Sequence, residues 1–424
     1  SKTGRMLQHC ANRPFSTSRD NYTQRYSDQP IHISIAMQTV SKPSNRGASL
    51  ETLGVTPAIT ELRQVINQVL TPKVQDIDLK GEFPRDIMHQ LGAAAAFAHA
   101  VSTDHQGSGK GLRAAVQSIE EISKDCLSTG FIAWCQVACT WYLENTENKT
   151  LKAEMLPKVA TGQVLAGTGL SNPMKHFADI EKIALTATRV DGGYVINGLL
   201  PWVSNLGPGH YFGIAAKLAA SDEYMMAIVS DELEGMSLRL NAHFIALEGT
   251  GTYSCVFRNA FVPDEWVLAS PCEDYVACIR PGFILTQVGM GLGLTDSCIE
   301  LMRRSNKRLG HVNCYLDDQV EDLSADLEIA RQRTYRLADQ LNNCTGVADP
   351  QLTREIIQAR ATASELSLRS SQAAMLHAGA RAYVHGSAPE RKLREAYFVA
   401  IVTPALKHLK KMLADMKETA LPGA

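Results

Sequence analysis

The sequence has almost no net charge, no long apolar run and no paired-cysteine motif. Its 42 Lys and Arg offset 44 Asp and Glu to leave −2 over 424 residues. No basic stripe interleaved with aromatics breaks that balance, so nucleic acid is not an expected partner. No stretch of about 18 uncharged apolar residues occurs, so no membrane span is expected. The 10 cysteines are scattered, without a CxxC pair or a neighbouring His pair. Cys135 and Cys139, one helical turn apart, read as small buried hydrophobes in a reducing compartment. Gly289, Gly291 and Gly293 lack a preceding strand and the dinucleotide spacing, so they form no phosphate loop. They permit close approach of another backbone or of a ligand. No internal repeat is visible, and the length suffices for two or three domains with their own cores.

Residues 1–50 are polar and without a sustained period, so 1–55 is expected to be a poorly ordered leader with Met37 near its effective start. Residues 11–19 are basic, Ser-rich and poor in acid, which is similar to a mitochondrial presequence. A cytoplasmic location is expected, or the mitochondrial matrix if residues 1–36 are such a presequence.

Beyond the leader the pattern is helical. Ile59, Leu62, Val65, Ile66, Val69 and Leu70 recur at three- and four-residue steps, which predicts an amphipathic helix over 57–78. Pro84 opens a second helix to Leu91, and 102–111 is a Gly- and Ser-rich loop. A third helix spans 112–127, with Val116, Ile119 and Ile122 inward and Glu120, Glu121 and Lys124 outward. Residues 130–143 are nearly uncharged and aromatic-rich, which predicts a central helix buried on most sides. Residues 148–161 predict a helix broken at Pro157.

From 166 the period switches to two. Segments 211–217, 225–230 and 252–262 alternate, the last with Tyr253, Cys255 and Phe257 on one face. Turn clusters separate the segments, so a small barrel or sandwich of short antiparallel strands is expected. From 280 four long helical pieces, near 281–308, 317–341, 350–379 and 389–416, predict an antiparallel bundle. The fold class is α+β: a helical domain over 56–165, an antiparallel β-barrel domain over 166–272 and a four-helix bundle over 273–424.

The densest chemistry lies at the first joint, in residues 166–205. Thr168-Gly169-Leu170-Ser171-Asn172-Pro173 is a turn-rich loop. Asp191-Gly192-Gly193 is a hairpin signal between two strands, and Pro201-Trp202-Val203-Ser204-Asn205 closes the unit. A loop offering N–H groups and hydroxyls beside a Trp-x-Ser strand can wall a flat ring such as a flavin, the indole covering one face.

This order of parts, with its motifs, resembles the acyl-CoA dehydrogenase superfamily over roughly residues 56–413. Leu156-Pro157-Lys158-Val159-Ala160-Thr161-Gly162 is similar to the phrase before the family's first flavin loop, and Ser171-Asn172-Pro173 to that loop. Asn197-Gly198 with Trp202-Val203-Ser204-Asn205 resembles the flavin-facing strand, and Val262-Pro263-Asp264-Glu265-Trp266-Val267-Leu268 the exit from the barrel. Arg280-Pro281 resembles the start of the first bundle helix. Gly379, Tyr383, Pro389-Glu390-Arg391 and Arg394-Glu395-Ala396 resemble the last flavin-contacting segment.

The resemblance implies a flavoprotein oxidoreductase that binds FAD, with FMN as the alternative. Thr168, Leu170 and Ser171 would serve the pyrimidine edge, Trp202 would pack beside the ring, and Ser204 would reach toward N5. Arg308, Gln319 and Gly379 would complete the cofactor site; the family's arginine that grips the pyrophosphate of a neighbouring subunit is Asn306 here, so Arg308 or Arg304, shifted in register, would replace its charge. Fixed donors at the N1–C2=O edge stabilise the negative charge of a reduced flavin. The resemblance further implies a small-molecule substrate such as an acyl-CoA and a homodimer or homotetramer.

Several positions depart from the family. Its α-proton-abstracting Glu is replaced by Thr403, whose hydroxyl ionises too weakly to act as that base. Residues 280–287 hold no acid, and the nearest ones, Glu273, Asp274 and Glu248, read as solvated surface acids. Phe177 replaces a serine expected near the pantetheine arm. Arg280 is the retained polar residue expected to hold a carboxylate or thioester oxygen. The leading expectation is a flavin-dependent oxidoreductase acting on an acyl thioester or related small molecule without the usual Glu. One alternative is a monooxygenase of the same fold, favoured by segment 249–257. The histidine which that branch carries near its last helix is replaced by Val402, and His385 and His408 read as solvated helix histidines. The other alternative is a non-catalytic binding or assembly subunit.

Overall fold

The computed structural model describes residues 57–240 and 242–418; the expected leader over 1–55 lies outside them. The first predicted helix forms in pieces. Helix α1 (Pro57–Val65) widens into a π turn (Ile66–Leu70), tightens into a 3-10 turn (Thr71–Lys73) and continues as α2 (Val74–Lys80). Pro72 explains the irregularity, since it lacks an N–H and its ring displaces the carbonyl one turn back. Helices α3 (Arg85–Ala93), α4 (Gly111–Asp125), α5 (Leu127–Asn145) and α6 (Lys149–Ala160) follow.

Two expectations for this part are corrected. Helix α6 runs through Pro157 unbroken. The carbonyl that loses its partner belongs to Ala153, which is exposed, so water satisfies it. Glu120 points inward, at 3 % exposure. Its carboxylate accepts from Arg331 Nε at 2.8 Å and from the Tyr335 hydroxyl at 2.6 Å, which makes burial of the charge tolerable. Cys135 and Cys139 are fully buried, as expected.

The middle of the chain holds β1 (Ala166–Thr168), the short helix α7 (Ser171–His176), β2 (Leu185–Val190), β3 (Gly193–Val203), β4 (Tyr211–Leu218), β5 (Tyr224–Ser230), β6 (Met236–Arg239), β7 (Tyr253–Pro263) and β8 (Val267–Ala269). They form one sheet in the order β6-β7-β3-β2-β4-β5-β8, with β1 pairing β4. The sheet is mixed rather than wholly antiparallel, because β1 and β2 both run parallel to β4. Strands β4 and β5 are buried on both faces. Phe212, Ile214 and Ala216 of β4, with Met225, Ala227 and Val229 of β5, fill the core inside the sheet. The intervening Ala215, Met226 and Ile228 join the helical core on the other side. Period two thus serves two cores at once.

The last part contains α8 (Glu273–Thr286), α9 (Val288–Asn313), α10 (Val320–Asn342), α11 (Pro350–Ala378), α12 (Ala388–Ile401) and α13 (Leu406–Glu418). The fourth expected piece is therefore two helices, because Pro404 cannot continue a helix. Residues Glu273–Asn313 are long and apolar enough to cross a membrane, but 83% of the apolar window is buried against the rest of the chain, as befits a core helix. One apolar core, from Ile59 to Leu409, joins the first and last helical parts.

The glycines of α9 make that join close. A Cβ on Gly289 would lie 2.7 Å from the Val116 carbonyl of α4, and one on Gly293 2.2 Å from the Glu120 carbonyl. Gly291, on another face, would meet Ala363 of α11 at 2.9 Å. These glycines admit backbones, not a ligand. Gly293→Ala should therefore destabilise by more than about 3 kcal/mol in urea unfolding, since neither backbone can yield. Gly310→Ala, with no neighbour nearer than 4.0 Å, should instead stabilise by roughly 0.5–1 kcal/mol.

Two buried histidines make stability depend on pH. His99 and His210 are 2% and 1% exposed. Burial, then the charge of Lys110, pushes His99 down to about 4. Burial also pushes His210 down to about 4, against a hydrogen bond to the Asn205 carbonyl and with Arg85 and His89 adding to the fall. Both folded-state values lie below the unfolded one, so stability is complete above pH 6.5 and falls between 6.5 and 4. The loss is on the order of 3 kcal/mol per group. Unfolding curves at pH 7.5 and 5 should show the drop, and His210→Asn, whose amide replaces Nδ1–H, should lessen it.

Candidate functional site

The site is built outward from α5. Its side chain Gln136 is fully buried, and all four of its hydrogen-bonding valences are used. Nε2 donates to the Val159 and Val164 carbonyls at 2.9 and 2.7 Å. Oε1 accepts from Ala166 N at 2.8 Å and from Asn205 Nδ2 at 3.2 Å. One amide thus ties the end of α6, the start of β1 and the end of β3 to a single point. Asn205 Nδ2 also donates to the Ala166 carbonyl at 2.8 Å. Thr168 and Ser204 are thereby paired across an antiparallel bridge. A Cβ on Gly167 between them would lie 2.1 Å from the Ser204 carbonyl, so only glycine fits.

These residues open onto a cavity of about 960 Å³, within the size range of small-molecule and cofactor sites. Its hydroxyl wall is ordered. Thr168 Oγ1 pairs with the buried Tyr142 hydroxyl at 2.8 Å. Thr250 donates to the Leu247 carbonyl at 2.7 Å and pairs with Thr252 at 2.8 Å, and Thr252 pairs with Ser204 Oγ at 2.6 Å. Because Thr250 spends its one proton on the carbonyl, Thr252 donates to Thr250 and Ser204 to Thr252. Ser204 then offers lone pairs to the cavity. At the first turn of α7, Ser171 Oγ pairs with Thr403 Oγ1 at 2.8 Å, beside amides that have no intrahelical partner.

The remaining lining holds aromatic rings and charged side chains. Phe131, Trp134, Phe283 and Phe398 line one side. Phe131 and Trp134 stack at 5.7 Å, and Phe398 and Phe283 meet them edge-on at 4.6 and 4.9 Å. Trp202 lines another side, 61% exposed, with Phe244 tilted 81° onto it. Among the described residues that line the cavity the only carboxylate is Glu181. It pairs with Lys175 at 2.7 Å and accepts from Asn172 Nδ2 at 2.7 Å. Burial opposes its ionisation, but Lys175 and Asn172 outweigh that and hold the carboxyl below its ordinary value.

His408 also lines the cavity. Its Nδ1 accepts from Ala405 N at 3.2 Å, so the neutral ring carries its proton on Nε2. Burial, then Lys407 and Lys175, lowers its value below the ordinary one, while Glu181 acts the other way. Arg394 is held by Asp78 at 2.6 Å and Glu390 at 2.6 Å, and donates to the Ile245 carbonyl at 3.0 Å.

Of the residues singled out from the sequence, the structure brings Thr168, Ser171, Trp202, Ser204 and Thr403 together around this cavity. Leu170 is buried and directly precedes Ser171. Arg280 does not line the cavity; Nη1 donates to the Phe177 carbonyl at 3.2 Å. Arg308 is exposed on α9, Gln319 caps the end of α9 through the Asn313 and Leu316 carbonyls, and Gly379 ends α11 with φ +62°. None of those three lines the cavity. Neither do Glu248, Glu273 or Asp274. Sequence reading passed over Gln136, Lys175 and Glu181, named Arg394 only within the last flavin-contacting segment, and took His408 for a solvated residue. Gln136 alone carried a visible signal, as the one amide in an apolar helical run.

The residues present fit a flavin. An exposed indole can cover a ring face, the first-turn amides of α7 can serve a polar edge, and Ser204 presents an acceptor. Among the described residues no cluster suited to a metal ion occurs.

Comparison with known proteins agrees with this geometry. Residues 58–163 match the model of the acyl-CoA dehydrogenase N-terminal domain. The chain is 24% identical to a mitochondrial isovaleryl-CoA dehydrogenase of Arabidopsis thaliana over 347 residues, 77% of this chain and 82% of that protein. It superposes on a glutaryl-CoA dehydrogenase solved with glutaryl-CoA at a TM-score of 0.78 and 20% identity, covering 89% of this chain and 98% of the other. It also superposes on FMN-bound TdsC of Paenibacillus sp. A11-2 at 0.76 and 16% identity, covering 86% and 98%. Members of the family use FAD, and some relatives hold FMN. The chain has the acyl-CoA dehydrogenase fold and is similar over most of its length to acyl-CoA dehydrogenase-like flavoprotein oxidoreductases.

Proposed function

We propose that this protein is a flavin-dependent oxidoreductase acting on an acyl thioester or a related small molecule without a carboxylate base at position 403. The observation that carries this reading is the Ser171–Thr403 hydroxyl pair, 2.8 Å apart, on the cavity wall where the family resemblance places that base. Bound FAD, or FMN, would supply the two-electron chemistry. Trp202 would cover a face of the ring, the amides at the start of α7 would hold its polar edge, and Ser204 would accept a hydrogen bond from it. The aromatic side would exclude water from the apolar part of the substrate. Glu181, tied to Lys175 and Asn172, is a weakened base.

A second reading, an oxygenase that removes no α-proton, is favoured by His408. Its Nε2–H is the one imidazole donor among the described lining residues. In either case a homo-oligomer is proposed. Arg308 and Gly379 lie outside the cavity, near in sequence to the exposed apolar residues Leu309 and Val312 of α9, Tyr315 just beyond it, and Leu376 of α11.

The purified protein should show a bound-flavin absorption band, or acquire one on addition of FAD or FMN. Trp202→Ala should weaken the flavin about tenfold, or roughly 1.4 kcal/mol. Absence of binding at high concentration of both flavins would overturn the reading. Anaerobic bleaching by acyl-CoAs would support the thioester reaction. Bleaching only by NADH with a reductase, followed by oxygen-dependent product that His408→Ala abolishes, would support the oxygenase instead.

A further inference from the structure

Arg360, in the middle of α11, is fully buried and makes no ion pair among the described residues. Each of its three nitrogens donates to a neutral acceptor: Nε to Gln287 Oε1 at 2.9 Å, Nη1 to Ser364 Oγ, and Nη2 to the Val399 carbonyl at 2.6 Å. Burial pushes it down to about 10, still a cation near neutral pH. Val399 lies in the last turn of α12, whose carbonyls lack intrahelical partners and carry the negative end of the helix dipole. That explains one bond of the three.

The bond to Gln287 does something else. Gln287 is also fully buried and stands at the joint between α8 and α9. Its Nε2 donates to the Thr403 carbonyl at 2.9 Å. A guanidinium has donors only, so Arg360 compels the Gln287 oxygen to face it and the amide nitrogen to face Thr403. The Thr403 carbonyl, an acceptor only, asks for the same orientation from the other side, so the two partners hold the amide between them. The chain continues through Thr403 to Ser171 Oγ and the cavity.

We infer that Arg360 is a positioning residue for the site: acting through Gln287, it fixes the Thr403 carbonyl and with it the Thr403–Ser171 wall. The inference goes beyond the flavin reading, on which only the cofactor-binding part of its test depends.

The test turns on Gln287→Glu. A carboxylate keeps and strengthens the bond to Arg360 but sets an oxygen against the Thr403 carbonyl in place of the donor. A merely structural role predicts an undisturbed site in so well-paired a variant. Positioning predicts that Q287E still folds while its crystal structure shows the Ser171–Thr403 hydrogen bond broken. FAD dissociation should also weaken about tenfold. Should Q287E fail to fold, the neutral, similarly sized Gln287→Met gives the same reading. Arg360→Met should weaken FAD similarly, and the R360M/Q287M double variant should be no worse than either single one, because both act along one path. An intact Ser171–Thr403 bond in the Q287E or Q287M structure, or additive losses in the double variant, would overturn the inference. If the parent binds no flavin, the flavin reading fails and the crystal structure of R360M, in which the Ser171–Thr403 bond should likewise be broken, alone decides the role of Arg360.

Discussion

The arrangement depends on one buried amide. Gln136 sits in a helix whose neighbours are almost all apolar, where an unpartnered carboxamide would cost several kcal/mol. It is tolerable because four backbone and side-chain groups converge on it from three segments. The converse holds with equal force. Each of those groups is itself buried and needs a partner, so β1 and the end of β3 have one place to go. The adjacency of Thr168 and Ser204, and so the hydroxyl wall, follows from this exchange.

The helical frame around that point is kept rigid by two kinds of close approach. Glycines of α9 let it press against α4 and α11 at backbone distance. Two of the buried charges in the frame are paired, Glu120 with Arg331 and the 1%-exposed Lys392 with Glu395 at 2.9 Å, while Arg360 is held by neutral acceptors. Strands β4 and β5 then belong to both cores, so the sheet cannot shift relative to the helices without unpacking both faces. A cavity bounded by sheet and helices inherits that rigidity.

Much of this was legible in the sequence because it rests on local periodicity. The switch from helical to alternating pattern at residue 166, the hairpin at Asp191-Gly192, and the buried central helix all follow from spacing and turn chemistry. So did the meeting of Ser171, Trp202, Ser204 and Thr403, through the family resemblance. What escaped depended on partners far away in the chain. Glu120 reads as a surface residue until Arg331 and Tyr335 arrive, more than 200 residues later. Pro157 reads as a helix break until Ala153 proves to face solvent. His408 sits on a strongly amphipathic helix amid lysines, and only the turn at Pro404 swings it to the cavity. Spacing cannot show a parallel pairing between β2 and β4 either, since that register is set by the crossover.

The cavity's acid–base capacity is segregated. None of its fully buried lining residues is titratable, and its titratable groups, Lys175, Glu181, Arg394, Tyr397, Lys407 and His408, are all half-buried or exposed. The cations behind the wall are occupied elsewhere, Arg360 with carbonyl and amide acceptors and Arg394 with Asp78 and Glu390. Groups in the interior can therefore orient a ligand and bias its charge but cannot exchange a proton with it. Proton transfer is confined to the more open side, where Glu181 is weakened by Lys175 and His408 is kept neutral by burial and by its lysine neighbours. A reaction that demands a strong base deep in the cavity is poorly served by this lining. One that moves electrons in the interior and settles its protons at the opening is well served.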